Sequence, residues 1–302
     1  MVWRWHSGTL LWPKSYNEPK AFYFALKSVN MTTVHLIDQI KERKSFLTVG
    51  LDSSMDKLPL HLQGQKDALL NFNKAIIAAT LPYCVAYKIN TAFYETLGPQ
   101  GWEIMKATLE AIPDTHFTIA DAKRGDIGNT SSQYARAFFE QLNFDAITVS
   151  PYMGEDSIRP FLEYQDKVTI VLGLTSNKGA ENFELLKIDD SHLYEIVISK
   201  AAEWASPNNL MFVAGATQAM HMRNIRRLVP GYFLLVPGVG FQGGSLKDVA
   251  DAALTEQAGL LVNASRAIIY ASNEENFDTE AAEIARQYQF EMQRYLIEKG
   301  II

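Results

Sequence analysis

The chain has 302 residues, 47% of them hydrophobic and 21% charged, enough to bury the core of one large α/β domain or two small ones. Its formal charge of −6 argues against a general grip on nucleic-acid backbones, which needs a basic surface, but leaves room for a small anion held by a local field. One cysteine, Cys84, excludes an intrachain disulfide and fits a reducing, cytoplasmic compartment, and no run reaches the roughly 20 apolar residues of a membrane span.

Residues 1–30 stand apart, with three tryptophans, scattered basic residues, Pro13 and Pro19. Within them Gly8-Thr9-Leu10-Leu11-Trp12 is too short and interrupted for the apolar centre of a signal peptide. They read as an N-terminal extension, either a loose tail or a packed arm, and residues 31–302 as the folded domain. Met31 opens a helical pattern with Val34, Ile37 and Ile40 spaced for one face. The apolar run Phe46–Leu51 predicts the first strand, and Asp67–Thr80, with Leu69, Phe72 and Ile76 in helical spacing, the helix after it. Cys84–Ile89 predicts a second buried strand, in which Cys84 is a packing residue. Then come helix Gly101–Ala111, strand Phe117–Ala120, helix Ser131–Gln141, and strands Ala146–Val149 and Val168–Leu172. The charged segment Ser176–Asp190 is long for a connecting loop and reads as a closing lid or as a surface insertion. Helix Ser191–Ala205 follows, then strands Leu210–Val213, Tyr232–Val236 and Gly259–Val262, and finally helix Glu280–Glu298, rich in good helix formers.

Eight apolar runs alternating with helices over about 270 residues predict a single (β/α)8 barrel, with an open doubly wound sheet as the alternative. Two features favour the barrel. The runs are continuous and alike in length, and polar residues cluster at or just after their ends: Asp52, Lys88 with Asn90, Asp121, Ser176, Gln218, Gln242 and Arg266. In a barrel all of these converge on one mouth.

The densest chemistry lies in Asp121-Ala122-Lys123-Arg124-Gly125-Asp126. Residues two apart on a strand point the same way, so Asp121 and Lys123 share a side, and Asp126 follows the freely turning Gly125. Charges gathered at a strand end must pair with one another or meet a charged ligand. Farther on, Pro237-Gly238-Val239-Gly240-Phe241-Gln242-Gly243-Gly244 follows the seventh run and Arg266 the eighth. Glycines let backbone amides approach an anion closely, and an arginine supplies a forked, permanently charged donor, the usual phosphate site of a barrel.

As a set, Asp121-x-Lys123-x-x-Asp126, Asp52 in Gly50-Leu51-Asp52, Lys88-Ile89-Asn90, the Pro237–Gly244 loop and Arg266 resemble the orotidine 5′-monophosphate decarboxylase family. The likeness covers nearly everything after about residue 45, and Lys88-Ile89-Asn90 with Thr175-Ser176-Asn177 is similar to the longer, type 2 branch. It implies a cytoplasmic, homodimeric barrel that converts orotidine 5′-monophosphate to UMP and carbon dioxide, the last step of de novo pyrimidine nucleotide synthesis, with no metal or organic cofactor. It further implies Lys123 as proton donor to C6, Asp121 against the substrate carboxylate, and Lys88 completing the charge array. Asp126, with Ile127 and Thr130, would enter the neighbouring subunit's site. Asp52 and Asn90 would meet the ribose, Ser176 (or its neighbours Thr175 or Asn177) the pyrimidine edge. Pro237, Gln242, Gly243 and Arg266 would surround the phosphate.

Other readings carry less. Arg124 is expected on the outer face in a salt bridge, and the six histidines, His6, His35, His61, His116, His192 and His221, as packing or surface residues with no metal-ligand spacing. No Gly-x-Ser-x-Gly elbow supports a hydrolase. Two rivals stand beside the decarboxylase: a magnesium-dependent sugar-phosphate decarboxylase or aldolase on a similar barrel, and a silent nucleotide-binding barrel. The first needs an acidic metal ligand near the end of the second strand, where this chain has Lys88.

Overall fold

Strands covered on both faces need apolar residues at nearly every position, and the chain's uninterrupted runs supply them. The computed structural model describes residues 31–216, 219–240 and 244–302; the segment 1–30, Gln218, Gln242 and Gly243 lie outside the described residues. Among the described residues eight parallel strands form, β1 Leu47–Gly50, β2 Ala86–Asn90, β3 Phe117–Arg124, β4 Ala146–Val149, β5 Val168–Leu174, β6 Leu210–Ala214, β7 Leu234–Pro237 and β8 Leu260–Ala264. Each pairs with the next, and β8 pairs with β1, Leu47 opposite Val262 and Thr48 opposite Asn263, which closes the barrel and rules out the open sheet.

The pleat decides which side chains enter the barrel. On β2 the Tyr87 hydroxyl donates to the Ile77 carbonyl of helix Ala68–Thr80, so Tyr87 points outward and Lys88, one residue on, points inward. Register carries that choice sideways, because Lys88 lies beside Gly50 of β1 and Ile119 of β3. Outside the strands, Phe72 stacks on Tyr270 and Phe277 at 5.9 and 5.1 Å, tying helix Ala68–Thr80 to the C-terminal helix Phe277–Glu298. At the end of the barrel away from the polar strand termini, Arg226 donates to the carbonyls of Val229 and Tyr232 ahead of β7 and of Ala253 and Gly259 ahead of β8. Burial pushes its pKa down to about 10.

Several boundaries and one face differ from the sequence reading. In the first helix, Thr33–Arg43, the buried side is Thr33, Leu36 and Ile40, while Val34 is 60% exposed. Val34 lies about 100° round the helix from Thr33 and about 120° from Ile40, too far to share their side. The helix expected from Ser131 begins at Gly128, and its last stretch, Arg136–Gln141, widens into a π-helical turn. The helix expected from Ser191 begins at Leu193 instead, because Ser191–His192 pairs with Lys187–Ile188 as a small antiparallel ribbon. The helix expected from Glu280 begins three residues earlier, at Phe277.

Cys84 is buried, and that burial pushes its thiol up to about 12, which keeps it a packing residue rather than a nucleophile. Arg124 pairs with Glu95 and lies over the rings of Tyr134 and Phe138 at 5.5 and 5.4 Å. Among the described residues, no group of three or more histidines, cysteines and acids is placed to hold a metal, and His6 lies outside them.

Candidate active site

The inward-facing charges of the first three strands meet at the barrel mouth. Lys88 Nζ lies 2.9 Å from Asp121 Oδ2 and 3.3 Å from Asp52 Oδ1, and Lys123 Nζ lies 2.5 Å from Asp121 Oδ1. Asp121 therefore sits between two ammonium groups. Burial works against its charge, but Lys88 and Lys123 outweigh that and hold its carboxyl well below the usual carboxylate range. For Lys88 burial likewise opposes the charge, and the carboxylates of Asp121 and Asp52 overcome it, raising the ammonium above its ordinary value. Lys88 is almost fully enclosed, whereas the Lys123 side chain is 50% exposed and stands at the rim.

A local fault in the sheet creates this geometry. Ala120 of β3 lies opposite Ile147 of β4, yet Arg124 lies opposite Val149, so four steps along β3 match two along β4. The three residues between, Asp121, Ala122 and Lys123, stand against the single Thr148 and bulge, and Lys123 takes a left-handed φ of 46°. Its backbone N–H donates to Thr148 Oγ1 at 2.9 Å, and that hydroxyl donates to Asp121 Oδ1 at 3.1 Å.

These charges border a cavity of about 250 Å³. Its lining also includes residues that the sequence reading expected near a phosphate: Pro237 at the end of β7, Gly238 and Val239 after it, and Arg266 after β8. Gly238 has φ 96°, a backbone region that suits glycine, and the turn closes with Gly244 N–H donating to the Gly238 carbonyl. Close approach explains a second glycine. A Cβ on Gly50 would stand 1.9 Å from Ser265 Oγ, so only glycine lets the segment before Arg266 seat against β1.

Of the residues expected at the site, the structure brings together Asp52, Lys88, Asp121, Lys123, Ser176, Pro237 and Arg266 around one cavity. Thr175 and Asn177 border it as well, so all three alternatives for the pyrimidine edge are present. Thr175 is fixed from behind, its N–H and hydroxyl both donating to the Glu184 carboxylate. Asn90 stands at the end of β2 but does not line the cavity; its Oδ1 accepts from Ala92 N–H. Asp126, Ile127 and Thr130 also stand off it, Asp126 accepting from Ile127 N–H, and Ile127 is 59% exposed. Gln242 and Gly243 lie outside the described residues.

Sequence reasoning missed the apolar floor, Leu172, Val213 and Leu235, and the polar Asn263 beside it. It also missed Thr148. In strands that are apolar at nearly every position, nothing in the sequence marks which side chains face inward, and a single threonine in such a strand carries no further signal.

Residues 45–279 match the family model described as orotidine 5′-phosphate decarboxylase / HUMPS family. An orotidine 5′-phosphate decarboxylase of Christiangramia forsetii is 55% identical over 259 residues, 84% of this chain and 93% of that protein. One from Porphyromonas gingivalis is 54% identical over 276 residues, 90% of this chain and all of the other. Among solved structures, the OMP decarboxylase of Leishmania donovani has a TM-score of 0.73 at 36% identity, covering 86% of this chain and 99% of that one. The UMP synthase of the same organism has a TM-score of 0.73 at 38% identity, and the match spans 84% of this chain but only 56% of that longer protein.

Proposed function

Since the chain belongs to the orotidine 5′-phosphate decarboxylase / HUMPS family, we propose the following division of labour for the reaction it catalyses, decarboxylation of orotidine 5′-monophosphate to UMP in pyrimidine biosynthesis. The observation that carries it is the Lys88–Asp121–Lys123 array at one end of a cavity whose other end holds Arg266 and a glycine turn. The phosphate lies against Arg266 and the Pro237–Gly240 turn, assisted by Gln242 and Gly243. The ribose meets Asp52 and Asn90, and Ser176 faces the pyrimidine edge. This places C6 and its carboxylate at Asp121 and Lys123.

Breaking the bond from C6 to the carboxylate leaves an electron pair on C6 that the ring π-system does not delocalise well. The Lys123 ammonium stabilises that pair where it forms and then transfers its proton to C6, giving UMP; solvent returns the proton to the exposed amine. Asp121 crowds the departing carboxylate with like charge, a repulsion that ends once neutral carbon dioxide forms. Binding energy from the phosphate offsets that crowding.

The magnesium-dependent rival is not favoured. Asp52 and Asp121, the acids that could face a divalent cation, are both engaged by Lys88, whose own charge would repel it. The direct test follows ultraviolet absorbance after orotidine 5′-monophosphate is added with a metal chelator present. Conversion to UMP is expected at the same rate with and without chelator; dependence on added magnesium would overturn the assignment.

We read residues 31–302 as one catalytic domain, acting in the cytoplasm as a homodimer. Among the described residues no helix is long and apolar enough to cross a membrane. The dimer reading is supported by Asp126, Ile127 and Thr130, which do not line the cavity of their own barrel, Ile127 being 59% exposed. If Asp126 serves the neighbour's site, mixing inactive Asp126→Asn and Lys123→Ala subunits creates hybrids with one intact site. Recovery of about a quarter of wild-type activity is expected for random pairing in a two-fold dimer. No recovery after subunit exchange would refute the shared site.

A further inference from the structure

We propose that Thr148 is a positioning residue that sets Asp121 and Lys123 relative to each other, an inference that rests on the reading of Lys123 as proton donor. Thr148 is fully buried in β4, between Ile147 and Val149, where an unbonded hydroxyl would be costly. Both of its partners lie in the β3 bulge. The direction of each bond is fixed, since a backbone N–H only donates and a carboxylate only accepts. Thr148 Oγ1 therefore accepts from Lys123 N–H at 2.9 Å and donates to Asp121 Oδ1 at 3.1 Å.

This hydroxyl does what the regular ladder cannot. The register slip between Ala120 and Arg124 takes Lys123 out of line with the carbonyls of β4, and the Thr148 hydroxyl meets its N–H instead. Lys123 Nζ returns to the same Asp121 oxygen at 2.5 Å, so a closed ring runs from the carboxylate through Thr148 and the Lys123 backbone to its ammonium. On Asp121, Lys88 holds the other oxygen, at 2.9 Å. Without the hydroxyl, a residue held at φ 46° loses its backbone partner and the ammonium loses its fixed distance from Asp121.

The test compares Thr148→Val, which keeps shape and removes the hydroxyl, with Thr148→Ser, which keeps the hydroxyl. For Thr148→Val, kcat is expected to fall about 10- to 100-fold while UMP affinity stays within about twofold, the signature of misplacement rather than lost binding. Exchange of the C6 proton of UMP with deuterated solvent should fall by the same factor, and Thr148→Ser should recover most of both. An unchanged kcat in Thr148→Val, or equal losses in the two variants, would overturn the proposal. If Thr148→Val does not fold, Thr148→Ser should exceed Thr148→Ala by about tenfold in C6 exchange, and parity would refute the role. Lys123→Ala serves as the separate control: if it exchanges C6 as fast as wild type, the proton-donor reading fails whatever Thr148 does.

Discussion

Replacing Lys123 with alanine is expected to lower kcat by at least about a thousandfold, because in the proposed mechanism one side chain supplies both the cation facing the developing carbanion and the proton that quenches it. The fold should survive. Half of the Lys123 side chain is already in solvent, and Asp121 keeps Lys88 at 2.9 Å after Lys123 is lost. UMP affinity should change far less than turnover, since the contacts proposed for the phosphate and ribose involve other residues of the cavity. Steady-state kinetics with a parallel thermal melt decide the matter. Turnover within tenfold of wild type in a folded protein would remove Lys123 from the chemistry. Arginine at this position should recover little, because a guanidinium restores the charge but does not release its proton near neutral pH.

Lys88→Met should act on stability as much as on activity. Lys88 is enclosed between Asp52 and Asp121, whose side chains are only 18% and 11% exposed. Removing one partner of such a set leaves carboxylates without compensation, which typically costs about 3–5 kcal/mol; the lower end applies here because Lys123 still reaches Asp121. The pH dependence carries the more specific signature. Asp121 has a depressed folded-state pKa, so its contribution is present above the ordinary carboxylate value of about 4 and is lost as pH falls towards the folded value. Lys88 is raised, so its contribution is complete below about pH 10 and is lost as pH rises through the folded value. Urea midpoints measured across pH should therefore decline at both extremes in wild type. In Lys88→Met the acid limb should be shallower and the alkaline limb reduced. A variant with wild-type midpoints and unchanged limbs would show that the array contributes nothing to folding.

Much of this was legible in the residues. Eight apolar runs became eight strands, and the charged positions at the ends of the first three converge as a barrel requires. The misses have physical causes. Val34 fits the spacing of an apolar face but lies off it by angle, and burial of Leu36 and Thr33 set the true face. Phe117–Ala120 ended at its last apolar residue, whereas β3 continues through the charges to Arg124 because bonds to β4 and to Thr148 support it there. Ser191 and His192 carry helix-start chemistry, and the ribbon with Lys187–Ile188 claims their backbone first. Asn263 and Thr148 escaped notice for one shared reason. Each is a lone polar residue in an apolar strand, and only the pleat and the closed register reveal that both point inward.

The mutual pairing of the mouth charges also bears on how substrate arrives. Asp52 and Asp121 balance Lys88 and Lys123 in formal charge, so the quartet carries no net charge and its field falls off far faster with distance than that of an unpaired cation. The incoming nucleotide is highly anionic, with a phosphate and a carboxylate, and the whole chain carries −6. Long-range steering therefore works against encounter, and attraction begins only within reach of Arg266 and the glycine turn. Raising ionic strength should accordingly hasten capture, or leave it unchanged, where an enzyme with an open cationic funnel would slow. A quartet without net charge gives the reactive end of this pocket little long-range pull on an anion, so on the proposed reading capture starts at Arg266.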